Sequence, residues 1–174
     1  MARKKKLAAD GTIRLWLAYK RRRGEKPLFA LIDPEDWKLA AIPWRAQRSH
    51  TGDFYAVRAV SLGKDQKTRM LYLHREVLQA PENVQVDHKN GNTLDCRRAN
   101  LRPATHKQNL QNARKPRHNT SGFKGVARSA NNRWRAYIKG KYLGLFDSPE
   151  EAARAYDRAA RAQFQNFARC NFSV

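Results

Sequence analysis

Val86-Asp87-His88-Lys89-Asn90-Gly91-Asn92 is followed by Arg97-Arg98-Ala99-Asn100-Leu101-Arg102 and by Thr105-His106-Lys107-Gln108-Asn109-Leu110. Asp87 and His88 sit at what reads as a strand end, where adjacent side chains point to opposite faces. Asn90-Gly91 is a turn signal, and Thr105 is placed to cap a short helix with Asn109 on its second turn. Taken singly these residues are ordinary: an exposed Asp-His pair, two turn-forming asparagines, and Asn100 as a cap. The joint spacing is what asks for chemistry. Hydrolysis of a phosphodiester needs a base to take a proton from water, a cation to neutralise phosphate charge, and a frame that positions both. A neutral histidine can be the base near pH 7. Asp87 and Asn109 offer hard oxygen ligands, which suit magnesium or manganese better than zinc.

Working outward toward the N-terminus, His74 begins a short helix that Pro81 ends. Tyr55–Val60 and Met70–Leu73 read as strands joined by a polar turn through Gly63-Lys64-Asp65. Leu28–Ile32 is a short apolar run, and Asp33-Pro34-Glu35-Asp36 starts a helix with Asp33 as N-cap and Pro34 at its first position. Residues 28–80 therefore read as a small α+β unit. Residues 1–27 carry the basic runs Arg3–Lys6 and Lys20–Arg23 around Thr12–Tyr19, whose period fits a strand and a helix alike. They read as a solvated tail or as a basic arm on nucleic acid.

Toward the C-terminus, residues 81–112 hold the chemistry and 113–120 form a basic linker. Residues 121–174 hold three short strands, Phe123–Arg128, Arg133–Ile138 and Lys141–Phe146, with turns at Asn131-Asn132 and Lys139-Gly140. Ser148-Pro149-Glu150-Glu151 is a capping box that opens a helix to about Phe164. Along the middle strand Arg133, Arg135 and Tyr137 share one face, and Trp134, Ala136 and Ile138 the other. The fold class is α+β.

The formal net charge is +21 over 174 residues, with a hydrophobic fraction of 41%. Self-repulsion makes such an excess a cost to compactness, so a polyanionic partner is the simplest reason for it. The charge is uneven: residues 96–146 contain 13 Lys and Arg and no acidic residue. A one-signed stretch of that length favours a phosphate-contacting surface. No apolar run approaches the roughly 20 residues that span a bilayer, and the charged start Arg3–Lys6 has no apolar stretch behind it. The expectation is an intracellular protein with Cys96 and Cys170 as free thiols, no membrane and no small-molecule cofactor.

The stretch from Val86 to Asn109, with Leu73-His74-Arg75 before it, resembles the HNH nucleases, in particular the homing endonucleases of phage genomes and introns. The resemblance implies a β-β-α metal fold over about residues 84–112. It makes His88 the general base, Asp87 a metal ligand, Asn100 the residue that braces the loop and orients His88, and Asn109 the second ligand. Asn109 stands where the last His of the name often sits, a departure that argues against zinc. The expected ion is Mg2+ or Mn2+. His74 is left as packing or a supporting group, and His106 as helix surface or a phosphate contact.

Residues 121–172 resemble the DNA-binding domain of plant ethylene-response factors, the Apetala-two type. Gly125-Val126, Trp134–Ile138, Tyr142–Asp147, Glu150–Ala160 and Asn171-Phe172 carry the likeness. It implies a three-stranded antiparallel sheet laid in the major groove with the helix behind. Arg can read guanine edges bidentately, whereas Lys mostly holds phosphates. The expected DNA contacts are Arg114, Lys115, Arg117, Lys124, Arg128, Arg133, Arg135, Tyr137, Lys139 and Lys141. Together these readings give a site-recognising, metal-dependent DNA endonuclease that acts as a monomer on double-stranded DNA and nicks, in the host cytoplasm if phage-encoded. The rivals are a DNA-binding transcription regulator without cleavage and an RNA-binding protein; the latter lacks a stacking platform of paired aromatic and basic residues.

Overall fold

The computed structural model describes residues 5–20, 23–63, 68–116 and 118–173. Arg3-Lys4, Arg21-Arg22, Lys64-Asp65 and the expected DNA contact Arg117 lie outside the described residues. The fold is mixed α and β, with small antiparallel sheets and few helices. The chain divides into two compact units, Met1–Ala104 and Thr105–Val174.

In the first unit β1 (Lys5–Leu7), β2 (Ile13–Trp16) and β3 (Phe29–Ile32) form one sheet in that order. The segment whose period was open between strand and helix is thus a strand and its continuation. Ile13, Leu15 and Leu17 are buried while Arg14 faces out, so neither a solvated tail nor a free arm describes residues 12–17. A 3-10 helix follows at Pro34–Ala41. Asp33 makes no side-chain cap there; its Oδ2 instead accepts the Arg98 backbone N–H at 2.7 Å. Next come β4 (Arg45–Arg48), β5 (Phe54–Ser61) and β6 (Thr68–Tyr72), a three-stranded meander. α1 (Leu73–Leu78) ends with Gln79 in the left-handed conformation, φ 49°. The hairpin β7 (Gln85–His88) and β8 (Leu101–Ala104) closes the unit, with Asp87 opposite Arg102 and His88 opposite Leu101.

One apolar cluster joins these elements: Ile13, Leu15, Ile32, Trp44, Leu73 and Val77 pack with Val86, Cys96 and Leu101. Residues 28–80 and the β7–β8 hairpin therefore share a core and do not form separate modules. The pairing is also direct: Leu31 N–H donates to Leu94 (2.8 Å), and Cys96 N–H donates to Leu31 (2.9 Å).

In the second unit α2 (His106–Asn112) opens with the capping box Thr105/Gln108. β9 (Val126–Arg128), β10 (Trp134–Ile138) and β11 (Lys141–Phe146) form an antiparallel sheet with β10 central. α3 (Pro149–Phe164) starts with the capping box Ser148/Glu151. Ala136 and Ile138 point under the sheet, where Ala152, Ala153, Tyr156, Ala160 and Phe164 of α3 meet it. Alanines let the helix approach closely. Gly125 is required at this contact: its φ is 76°, and a Cβ there would lie on the Tyr156 ring and 2.7 Å from the Tyr137 carbonyl oxygen. Among the described residues no helix is long and apolar enough to cross a membrane.

Candidate active site

Strand β7 delivers Asp87 and His88 as neighbours, both buried, at 4% and 5% exposure. His88 sits in a ring cluster: the His74 ring lies edge-on with centroids 4.9 Å apart, and Tyr55 packs on both imidazoles at 5.7 and 6.3 Å. Nδ1 of His74 is buried with no hydrogen-bond partner among the described residues. Burial pushes His74 down to about 3, with the nearby His88 and Arg75 adding to the effect. Burial pushes His88 down to about 4 against the opposing pull of the Asp87 and Asp95 charges. Both imidazoles are neutral at pH 7.

Asp87 is held by a partner that only the strand register reveals. Arg102, across the ladder, places Nε and Nη2 at 2.7 and 2.6 Å from Asp87 Oδ2. The loop after His88 is braced from inside. Asn100 accepts the Asn90 N–H on its Oδ1 (2.9 Å) and donates Nδ2 to the Asp95 carbonyl (2.7 Å). Asp95, 2% exposed, takes Arg97 Nε and Nη2 at 2.7 Å each and Asn90 Nδ2 at 2.9 Å. Burial alone would raise the Asp95 carboxyl, but the bonds and charge of Arg97 and the bond from Asn90 hold it below its ordinary value.

The long basic stretch is less available than its charge suggests. Arg97 is bound to Asp95 and Arg102 to Asp87. Arg98 reaches back some 62 residues to Asp36, with Nη2 to Oδ1 at 2.7 Å, and also contacts Glu35. Asp33, Glu35 and Asp36 are close enough together to invite a cation; the Arg98 guanidinium fills that role. None of these acids lies within residues 96–146, so a charge count along the chain could not find them.

Asn109 stands half-buried on α2, in the second unit, its N–H bonded to the Thr105 carbonyl at 3.0 Å. His106 is exposed on the same helix. Of the expected DNA contacts, Arg114, Lys115, Arg128, Arg135 and Lys141 are exposed. Arg135 shares the open face of the sheet with its neighbours Ala127 and Leu145, and Tyr137 packs on Tyr142 at 5.4 Å. Arg128 donates to Asn132 Oδ1 at 2.6 Å. Three of the set are turned to other uses. Arg133 pairs with Asp147 at 2.8 Å. Lys139, in a left-handed turn, lays its Nζ 4.5 Å from the Phe164 ring of α3. Lys124 donates its Nζ to the Gln111 and Ala113 carbonyls at 2.7 and 2.6 Å. Sequence reasoning missed Arg102, Asp95 and this use of Lys124: the first depends on strand register and the last on carbonyls outside its own turn, whereas the partners of Asp95 are its near neighbours Asn90 and Arg97.

A family model described as HNH endonuclease matches residues 79–111. The chain is 30% identical over 151 residues, 84% of its length, to a protein of Acanthamoeba polyphaga mimivirus named as an HNH endonuclease, and covers 76% of that protein. It is 41% identical over 71 residues, 37% of its length, to an ethylene-responsive transcription factor of Arabidopsis thaliana, of which the match spans 28%.

Proposed function

The chain belongs to the HNH endonuclease family, and from that premise we propose that it cuts double-stranded DNA, with His88 as general base and one divalent metal held by Asp87 and Asn109. The carrying observation is a buried, neutral imidazole next to a carboxylate gripped by an arginine, inside the matched stretch. Neutral His88 can accept a proton from water. Arg102 holds the Asp87 carboxylate in one orientation, and Asn100 holds the loop that follows the base. Asp87 and Asn109 are a carboxylate and an amide, a donor set of hard oxygens that fits magnesium or manganese. A cation bound there would supply neutralisation of the charge that develops at the scissile phosphate.

The open face of the β9–β11 sheet carries Arg135 and Tyr137, and with exposed Lys115, Arg128 and Lys141 it supports duplex binding of the Apetala-two kind. One such centre per chain makes the product of a monomer a nick, at a long target of the homing type. The protein works inside the cell with direct access to DNA.

Incubation of supercoiled plasmid with the protein and magnesium tests the reading. The expected product is an open circle, absent in chelator. His88→Ala should slow it about 100- to 10,000-fold while duplex binding persists. Plasmid that is bound yet stays supercoiled would favour a DNA-binding regulator without cleavage.

A further inference from the structure

We propose that Lys124 is a positioning residue for cleavage: its ammonium locks α2, the helix that carries Asn109, onto the β9–β11 and α3 assembly. Its part in cleavage rests on the reading of Asn109 given above; the lock itself does not.

α2 is short, and it meets the rest of its unit at the 3-10 turn Gln165–Phe167 and at Lys124. It is seven residues long, and isolated helices so short are marginal in water. Its one buried residue is the polar Asn112, while Leu110 is 59% exposed. Packing of an apolar face therefore contributes little. The carbonyls at a helix end lack onward helical donors; here that of Leu110 accepts the Ala113 N–H at 3.2 Å, and those of Gln111 and Ala113 are met by Lys124, with Nζ at 2.7 and 2.6 Å. A cation at a helix C-terminus also opposes the partial negative charge there. Two of the three ammonium donors are thereby committed.

The other end of the lock is equally fixed. Lys124 N–H donates to Asn171 Oδ1 at 2.7 Å, and Asn171 Nδ2 donates to the Lys124 carbonyl at 3.2 Å. Asn171 in turn gives its backbone N–H to Asp157 at 2.8 Å and its Nδ2 at 3.0 Å. Asp157 lies on α3 and is 1% exposed. A continuous chain of bonds thus runs from the core of α3 through Asn171 and Lys124 to the end of α2. Burial, with the Arg169 charge near by, pushes the Lys124 ammonium down to about 8, as expected for a group turned inward. The basic segment at 113–120 is consequently no clean break: a chain cut before residue 121 loses the group that holds α2.

The test uses the full chain with three substitutions. Lys124→Met keeps the stem and removes the donors, Lys124→Arg keeps a charged donor, and Lys124→Gln is a milder loss should the Met variant not fold. Amide exchange is followed without metal or DNA. Binding to a random-sequence duplex is measured in chelator, and nicking of supercoiled plasmid in single turnover. In Lys124→Met, exchange over 106–112 should rise by about tenfold or more, the scale of one charged hydrogen bond, with α3 amides unchanged. The single-turnover nicking rate should fall by about tenfold with the half-saturating protein concentration unchanged. Lys124→Gln should lie between, and Lys124→Arg should recover most of both. Unchanged α2 exchange with weakened duplex binding would make Lys124 a phosphate contact and overturn the proposal. Faster exchange with a normal nicking rate would leave a lock without a positioning role, overturning it too. Normal nicking by Asn109→Ala, in contrast, would overturn the role of Asn109 and leave the exchange result standing as evidence of the lock.

Discussion

Arg102 and Asp87 form a nearly buried pair, and removing Arg102 takes two donors from the Asp87 carboxylate. Arg102→Met should destabilise the first unit by about 3–5 kcal/mol, the usual cost of breaking a buried ion pair. A shift in the urea midpoint at constant slope would register it. The two neutral histidines predict a pH dependence of similar origin. Each has an ordinary value of 6.5, against about 3 for His74 and about 4 for His88 in the fold, with burial the chief cause. The unfolded chain therefore binds more protons between those values and 6.5. The stability associated with the neutral pair is complete above pH 6.5 and is lost as the pH falls toward 4, by on the order of a few kcal/mol. Denaturant midpoints measured from pH 7 to pH 4 should fall steadily, and His74→Phe should flatten the decline.

Among the elements, β9–β11 and α3 depend on close approach at Gly125. Gly125→Ala combines a left-handed backbone with a collision on Tyr156, at a cost of at least about 1–3 kcal/mol. Its melting transition should drop by several degrees (about 4–8 °C per kcal/mol for a domain of this size), whereas Gly122→Ala, with open space around it, should cost less. The capping boxes at Thr105 and Ser148 and the hydrophobic parity of β10 are legible in the sequence because their partners lie within four residues. Of the β7–β8 hairpin, local signals show only the strand end at Asp87-His88 and the turn at Asn90-Gly91; the second strand is implied by the family resemblance, because Leu101–Ala104 pairs back across the whole loop from Lys89 to Asn100. The strand at Ile13–Trp16 is not, because a four-residue run with Trp and Leu satisfies both periods until β3 is there to pair with it. Nor is the fate of Asp33, read as a helix cap: the competing donor is the backbone of Arg98, 65 residues away. For the candidate site, the positions of Asp87, His88 and Asn109 on their elements follow from local spacing. The hold of Arg102 on Asp87 requires a register that no local signal supplies.

For the whole molecule, a formal charge of +21 overstates what a polyanion meets. Arg97, Arg98, Arg102 and Lys124 are occupied within the protein, while Lys115 and Lys141 are exposed. Each phosphate neutralised contributes about −0.9 to the slope of log affinity against log salt. Lys141→Ala or Lys115→Ala should each reduce the magnitude of that slope by about 0.9, and Lys124→Met should leave it unchanged. A salt titration in which Lys124→Met alone flattens the slope would reverse the assignment.

The pairing of Leu31 with Leu94 and Cys96 bears on transplantation. A designer who wished to graft the cutting motif onto another scaffold would be tempted to lift residues 79–111, where the family pattern lies. That cassette would arrive with its central loop missing the strand edge it docks against and with Cys96, fully buried here, open to solvent and oxidants. The smallest portable piece is set by hydrogen bonding and must include β3, whose Leu31 makes both bonds; even then Asn109 would travel only with the C-terminal unit that carries it.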